Sequence, residues 1–336
     1  MPERLKTFFG SVKGLLYSGR GSAEAQQQSL ERFAAAMSGM PSLPATALEG
    51  EFVYNPFGTR WRPFLELGVD DPFWYRKPGR GIAEGYPKHF RPGLLLRDWQ
   101  EEYFELVDVV ESAVQARGSF CMMELGANFG RWLQMALGAL GKLNPSVGDL
   151  FLLGVEGEPT HHAWLRQTFL DNGVPEHQYE ALYGAVYSHD GSIEFSVGNP
   201  AKWRGQAIGT YGTHVTTPCF ALGTLLAKRP RWDLIDADVQ GAEVEVFASC
   251  IAELDRRVRK VHIGTHGRAI EKQLRRLFTR NGWIKLWDFP CAEESATLNA
   301  EGTRIHNVPT PFGEVVFNDG VQTWLNPRLE SSLAPA

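Results

Sequence analysis

Cys121-Met122-Met123-Glu124-Leu125-Gly126-Ala127-Asn128-Phe129-Gly130 passes from an apolar run through an acid into a turn of small residues, and Arg131 to Leu140 behind it reads as a helix. Strand, tight turn and helix in that order open a βαβ nucleotide-binding unit. A dinucleotide site needs Gly-x-Gly-x-x-Gly, so that a pyrophosphate can approach the helix N-terminus. Here the turn has glycines only at 126 and 130, and Glu124 stands just before it. A carboxylate there repels phosphate, whereas the ammonium and sulfonium of S-adenosylmethionine both gain from it in a cleft shielded from water. Asn128 takes the place of a middle glycine, and asparagine tolerates a left-handed backbone better than most side chains.

The rest of the chain bounds the setting. With 336 residues, 43% of them hydrophobic, it can bury one large core and an appendage. A net charge of -5 gives no electrostatic footprint for nucleic acid. Cys121, Cys219, Cys250 and Cys291 lack the short spacings of a zinc site. Their scatter, the lack of a membrane-length apolar run and the lack of a secretory signal lead to the expectation of a cytoplasmic protein.

Leu5, Phe8, Phe9, Val12, Leu15 and Leu16 follow helical spacing, with basic residues off that stripe. Residues 1–20 therefore suit a helix docked on its own domain or on a second copy in a homodimer, or one lying on a membrane surface. Ser18 to Glu51 reads as a linker with a short helical pattern around Leu30 to Met37. Phe52 to Asp98 mixes aromatic residues with Gly, Pro and Arg, as in a loop-rich cover that packs on the core or lines a pocket for sugars.

From Trp99 onward, periodicity predicts alternating elements. Helices are expected at 101–116, 130–140, 161–172, 242–254 and 268–281, and strands at 120–125, 151–156, 180–187, 232–239, 258–265 and 283–289. That alternation is the signature of a mostly parallel sheet covered on both faces. Two hairpins are added, one from Ser192 to Val197 with a neighbour, the other from Gly313 to Trp324 around Asn318-Asp319-Gly320.

In an open parallel sheet the ligand sits at the carboxyl ends of the strands. The candidates there are Glu124, Gly126, Ala127, Asn128 and Gly130, then Glu156 and Gly157, with Glu156 flush with its strand end and Glu158 before Pro159 placed to cap a helix. Gly184 and Ala185 leave room for a flat adenine ring. Asp236 and Asp238 share one strand face and suit a base or orienting carboxylate, a metal pair, or a helix cap. No third hard ligand is near in sequence, so no metal is expected. His262 reads as a core histidine, and His266, at the strand's carboxyl end, as a titrating group or a helix cap.

Glu124-Leu125-Gly126-Ala127-Asn128-Phe129-Gly130, Val155-Glu156-Gly157-Glu158-Pro159, Gly184-Ala185-Val186 followed by Gly191-Ser192-Ile193-Glu194-Phe195, Asp238-Val239-Gln240-Gly241-Ala242-Glu243 and Asn281-Gly282-Trp283 occur in this order. Together they resemble the FkbM family of S-adenosylmethionine-dependent methyltransferases over about residues 105–325. The resemblance implies a class I, Rossmann-like methyltransferase fold with a seven-stranded sheet. It further implies that Glu124, Gly126, Asn128, Gly130 and Glu156 hold the donor, and that a hydroxyl of a sugar, glycan or secondary metabolite is methylated. The family usually has a lysine where this chain has Asp236, which reverses the local charge. The expected division is residues 1–50 as amphipathic helix and linker, 51–104 as aromatic cover and 105–330 as methyltransferase domain, with Asp238 and His266 as catalytic residues. A catalytically silent S-adenosylmethionine- or glycan-binding protein on the same fold, and an NAD-dependent oxidoreductase, stand as alternatives.

Overall fold

The computed structural model describes residues 20–38, 48–49, 52–55, 57–62, 65, 101–197, 208, 213–293, 296–298, 304–310 and 313–330. Seven strands pair into one sheet: β1 (Ser119–Leu125), β2 (Asp149–Glu156), β3 (Tyr179–Tyr183), β4 (Leu234–Ala237), β5 (Lys260–Thr265), β6 (Ile284–Phe289) and β7 (Gly320–Leu325). Their spatial order is β6-β7-β5-β4-β1-β2-β3, with β7 antiparallel to both its neighbours and β5, β4, β1, β2 and β3 parallel. The helices are α1 (Arg20–Ser38), α2 (Glu102–Gln115), α3 (Arg131–Leu143), α4 (Pro159–Asp171), α5 (Leu222–Leu226), α6 (Glu243–Ala248), α7 (Ile251–Arg257) and α8 (Arg268–Arg280).

Alternation along the strands sends side chains to two cores. Phe120 and Met122 of β1 pack with α1 to α4, and Cys121, Met123 and Leu125 pack with α5 to α8. The expected α/β class is therefore present: a mostly parallel seven-stranded sheet with helices on both faces, the class I methyltransferase arrangement.

Four sequence expectations change. The stretch read as a linker contains the 19-residue helix α1, because its Ala, Gln, Leu and Glu residues favour helix and Ala25, Leu30 and Phe33 bury one side of it. Ser22 Oγ donates to the Lys285 carbonyl at 2.6 Å, and Arg32 pairs with Glu111 at 2.6 Å, fixing α1 across α2 and β6. The strand read at 180–187 divides at Gly184, where a Cβ would meet the Pro218 carbonyl oxygen at 2.8 Å. Ala185–Tyr187 instead pairs with Thr213–Ala221, which also pairs with Gly191–Val197 in a separate three-stranded sheet.

Gly313–Phe317 and Gly320–Leu325 flank the Asn318-Asp319 turn but do not pair with each other. The first joins Arg304–Thr310 and the second becomes β7, inserted between β5 and β6. The helix read at 242–254 is broken at Cys250, whose φ of -142° lies outside helical values. Residues 1–19 and the aromatic stretch 66–100 lie outside the described residues. Phe57 and Trp61, from the start of the aromatic segment, are buried in the core. No described helix is long and apolar enough to cross a membrane.

Candidate functional site

The carboxyl ends of β1, β2 and β4, with the break at Gly184, border one cleft. Its first wall is the turn after β1. Gly126, Asn128 and Gly130 all have positive φ, at 78°, 48° and 80°, which closes the turn tightly enough for the Gly126 and Ala127 amides to donate together to the Val155 carbonyl at 3.0 Å. The Asp238 amide donates to the Leu125 carbonyl at 2.9 Å, and a Cβ on Gly126 would overlap the Asp238 carbonyl. Gly130 differs from expectation. It opens α3 and packs against Leu165, behind the turn, and is not among the residues that line the cleft.

Glu156 terminates β2 and binds backbone on both sides. Oε2 accepts from the Asn128 amide and Oε1 from the Glu158 amide, both at 2.7 Å. Glu158 itself accepts from the His161 amide at 2.7 Å, the cap of α4 foreseen from its place before Pro159. Burial raises the Glu156 carboxyl above its usual pKa, against the pull of the Glu158 amide. Gly157, Gly184 and Ala185 line the opposite side, together with Phe195 of the separate three-stranded sheet and Ile208, which bridges to it. Asn128 Oδ1 is buried and has no hydrogen-bond partner among the described residues.

Glu124 does not stand at the mouth of the cleft as a bare charge. It is buried, and Oε2 accepts from the Leu133 amide in the first turn of α3 at 3.1 Å. Burial, and then the neighbouring Asp236, push this carboxyl well above the usual range.

Glu124, Asp236, His262 and Thr323 are in register on β1, β4, β5 and β7, so they form one polar row across the sheet. Facing the row, α2 presents Glu105, Asp108 and Glu111 at helical spacing. Asp108 Oδ2 accepts from His262 Nδ1 at 2.8 Å and from Thr323 Oγ1 at 2.6 Å. Lys260, two residues from His262 and fully buried, pairs with Asp108 at 3.2 Å and with Glu111. Against the rise that burial alone would impose, Lys260 and His262 hold Asp108 below its usual pKa. At Asp236 burial outweighs the opposing pull of His262 and pushes the carboxyl up to about 7.

His266 lies beside this row, at the end of β5. Its Nδ1 is 2.6 Å from Glu243 Oε1, and its Nε2 is 3.3 Å from Asp238 Oδ1 and 4.0 Å from Asp319 Oδ2. Burial alone would lower its pKa, but Asp238, Glu243 and Asp319 outweigh that and push it up to about 10. Asp238 is half-exposed in the cleft and is also held by Gln240 Nε2 at 2.6 Å.

Every donor-site candidate except Gly130 thus borders one cleft, with Asp238 in its wall and His266 directly behind Asp238. Sequence reading missed Glu105, Asp108, Glu243 and Asp319. The first two were legible in principle, since Glu102, Glu105, Asp108 and Glu111 put acids at every third position along a largely apolar helix.

The methyltransferase FkbM domain family matches residues 124–284. A relative from Jannaschia sp. (strain CCS1), named "Putative methyltransferase", is 26% identical over 223 residues, spanning 62% of this chain and 76% of the relative. Among solved structures, methyltransferase FkbM from Methylobacillus flagellatus KT is similar with 10% identity and a TM-score of 0.39, over 66% of this chain and about half, 53%, of that one. Precorrin-6y C5,15-methyltransferase from Geobacter metallireducens GS-15 is similar with 10% identity and a TM-score of 0.35, over 66% of this chain and 87% of that one.

Proposed function

We propose that the cleft holds S-adenosylmethionine and that the protein methylates a hydroxyl oxygen of a sugar, glycan or small metabolite, a reading supported by the match of residues 124–284 to the methyltransferase FkbM domain family. The observation that carries this reading is the acid-rich lining of the cleft. Eight of the residues that line it carry carboxyl groups, against a single arginine, Arg131, which is paired with Glu102 at 2.9 Å. Such walls disfavour a diphosphate and favour a cation. In addition, the first-turn amide of α3 that a pyrophosphate would use is taken by Glu124.

The residues fit the donor. Glu156 keeps a second lone pair on each carboxylate oxygen for ribose hydroxyls, and Asn128 Oδ1 is a buried acceptor in want of a donor. Gly157 and Gly184 line the same cleft, with the Phe195 ring, and Phe220 and the Pro218 carbonyl, pressed against their Cα atoms where a Cβ would stand. When bound, S-adenosylmethionine supplies a methyl group on a positively charged sulfur.

The protein's own task is then to place the acceptor oxygen, exclude water and take up a proton. His266, already protonated at neutral pH, is a hydrogen-bond donor rather than a base. The proton of the acceptor hydroxyl therefore goes to an Asp238 carboxylate oxygen, which His266 and Gln240 hold in place. General-base help of this kind is worth about 100- to 10,000-fold in rate.

Calorimetry with S-adenosylmethionine and with NADH tests the reading at its root. Saturable binding of the first, weakened by about 1–3 kcal/mol in Glu156→Gln, is expected. Tighter binding of NADH would overturn it.

A further inference from the structure

The polar row contains a point at which three side chains converge without a protein cation. Glu105 of α2, Asp236 of β4 and His262 of β5 each bring one donor atom within 4.8 Å of the other two. Asp236 Oδ1 and His262 Nε2 have no hydrogen-bond partner among the described residues, although the residues are only 4% and 1% exposed. Leaving two such atoms buried and unpaired is costly unless a ligand joins them.

His262 is prepared for that ligand. Asp108 accepts a hydrogen bond from its Nδ1–H, which leaves Nε2 as the unpartnered ring nitrogen, the carboxylate–histidine pairing that orients imidazoles toward metals. The nearby protein cations are committed elsewhere, Lys260 to Asp108 and Glu111 and Arg131 to Glu102. A bridging water would fill the space but bring no charge to Glu105, Glu124 and Asp236.

We propose that Glu105, Asp236 and His262 bind a divalent cation at the floor of the cleft. The ion's remaining positions take oxygen atoms of the methyl acceptor, which selects acceptors with two adjacent oxygens, such as a vicinal diol or a hydroxy acid. Two carboxylates and one imidazole suit Mn²⁺ or a similar first-row ion. Bonds of about 2.1 Å place three donors of one ion about 3–3.6 Å apart, so the three rotatable arms, now within 4.8 Å of one another, need to close by about 1–2 Å. Coordination lowers the pKa of the acceptor hydroxyl, and the released proton passes to Asp238. No electron moves to or from the ion. The choice of acceptor rests on the O-methyltransferase reading; the ion site does not.

The test is a titration of the chelator-treated full chain with Mn²⁺, followed by calorimetry and by the electron paramagnetic resonance signal of unbound Mn²⁺. One saturable ion per chain is expected, with affinity falling about 10- to 100-fold or more in Glu105→Gln and in Asp236→Asn. Asp319→Asn removes an acid of the same cleft outside the triad and is expected to leave the affinity unchanged. Circular dichroism confirms folding of each variant, and Glu105, half-buried, is the substitution least able to disturb it. The site is overturned if Mn²⁺, Mg²⁺ and Zn²⁺ all fail to saturate, or if Glu105→Gln and Asp236→Asn bind as the parent does. Methylation at full rate in chelator with no bound ion would remove the site and spare the methyltransferase reading. A bound Mn²⁺ beside absent S-adenosylmethionine binding would do the reverse.

Discussion

Gly126→Ala separates what the turn after β1 does from what any glycine does. Two costs add at this position. The φ of 78° is left-handed, which costs a residue with a Cβ about 1–2 kcal/mol. The new Cβ would also overlap the Asp238 carbonyl, and the turn can escape only by stretching the bonds from Asp238 N to Leu125 O and from Gly126 N and Ala127 N to Val155 O, at 2.9–3.0 Å. Loss of one or two of these adds about 1–3 kcal/mol, for a total of about 2–5 kcal/mol. Two other alanines calibrate the number. Gly173 has φ 65° and no heavy atom within 4 Å of its Cβ position, so Gly173→Ala isolates the backbone term. Gly141, exposed on α3 and equally open, gains about 0.5–1 kcal/mol as alanine in a helix. Urea denaturation gives the three values, and calorimetry with S-adenosylmethionine shows whether donor affinity falls only for Gly126→Ala. If Gly126→Ala and Gly173→Ala lose the same stability, or if donor binding is untouched, the turn is not pressed against β4 and the account of the cleft's first wall fails.

Two further outcomes follow from buried charge. Lys260→Met removes the buried cation shared by Asp108 and Glu111, leaving them only His262, Thr323 and Arg32 as partners, and is expected to cost up to about 3–5 kcal/mol by urea denaturation; a loss under about 1 kcal/mol would show that the pairing contributes little. His266, raised from 6.5 to about 10 by Asp238, Glu243 and Asp319 despite burial, contributes stability that is complete below pH 6.5 and is lost as pH rises toward 10. Denaturation midpoints should fall across that window and flatten in His266→Gln, whereas an unchanged slope in the variant would refute a protonated His266.

The fold was legible because its elements are bounded by local signals. β1 and β2 are largely apolar runs, the first ending just before Gly126 and the second at Glu156, and α3 and α8 follow the helical period. What failed was local pattern meeting a distant partner. A β-strand propensity runs through Gly184, yet the chain changes sheets there because Pro218 and Phe220, more than thirty residues on, press against it. Asn318-Asp319-Gly320 is a sound turn signal, but nothing near it says that its second arm is needed between β5 and β6. Ser18 to Glu51 is small and polar enough to pass for a linker, and only contacts with α2 and β6 make α1 a packed helix.

The site divides along the same line. Residues that shape backbone, such as Gly126, Asn128 and Glu156, announce themselves by spacing, since a turn is built from neighbours. The charge balance does not, because it is a sum over strands and a helix far apart in the chain. Asp236 viewed alone is one of a pair with Asp238, two residues on. Register across β1, β4, β5 and β7 puts it instead between Glu124 and His262, with α2 laying Glu105 and Asp108 over them. The carboxylate expected to face the donor, Glu124, is thereby turned inward to cap α3. The attraction for a cation is spread over a whole wall of acids. One carboxylate on its own would neutralise itself by taking a proton on burial, so a cleft that keeps its negative field needs the compensating donors that Lys260, His266 and the backbone amides supply around its edge.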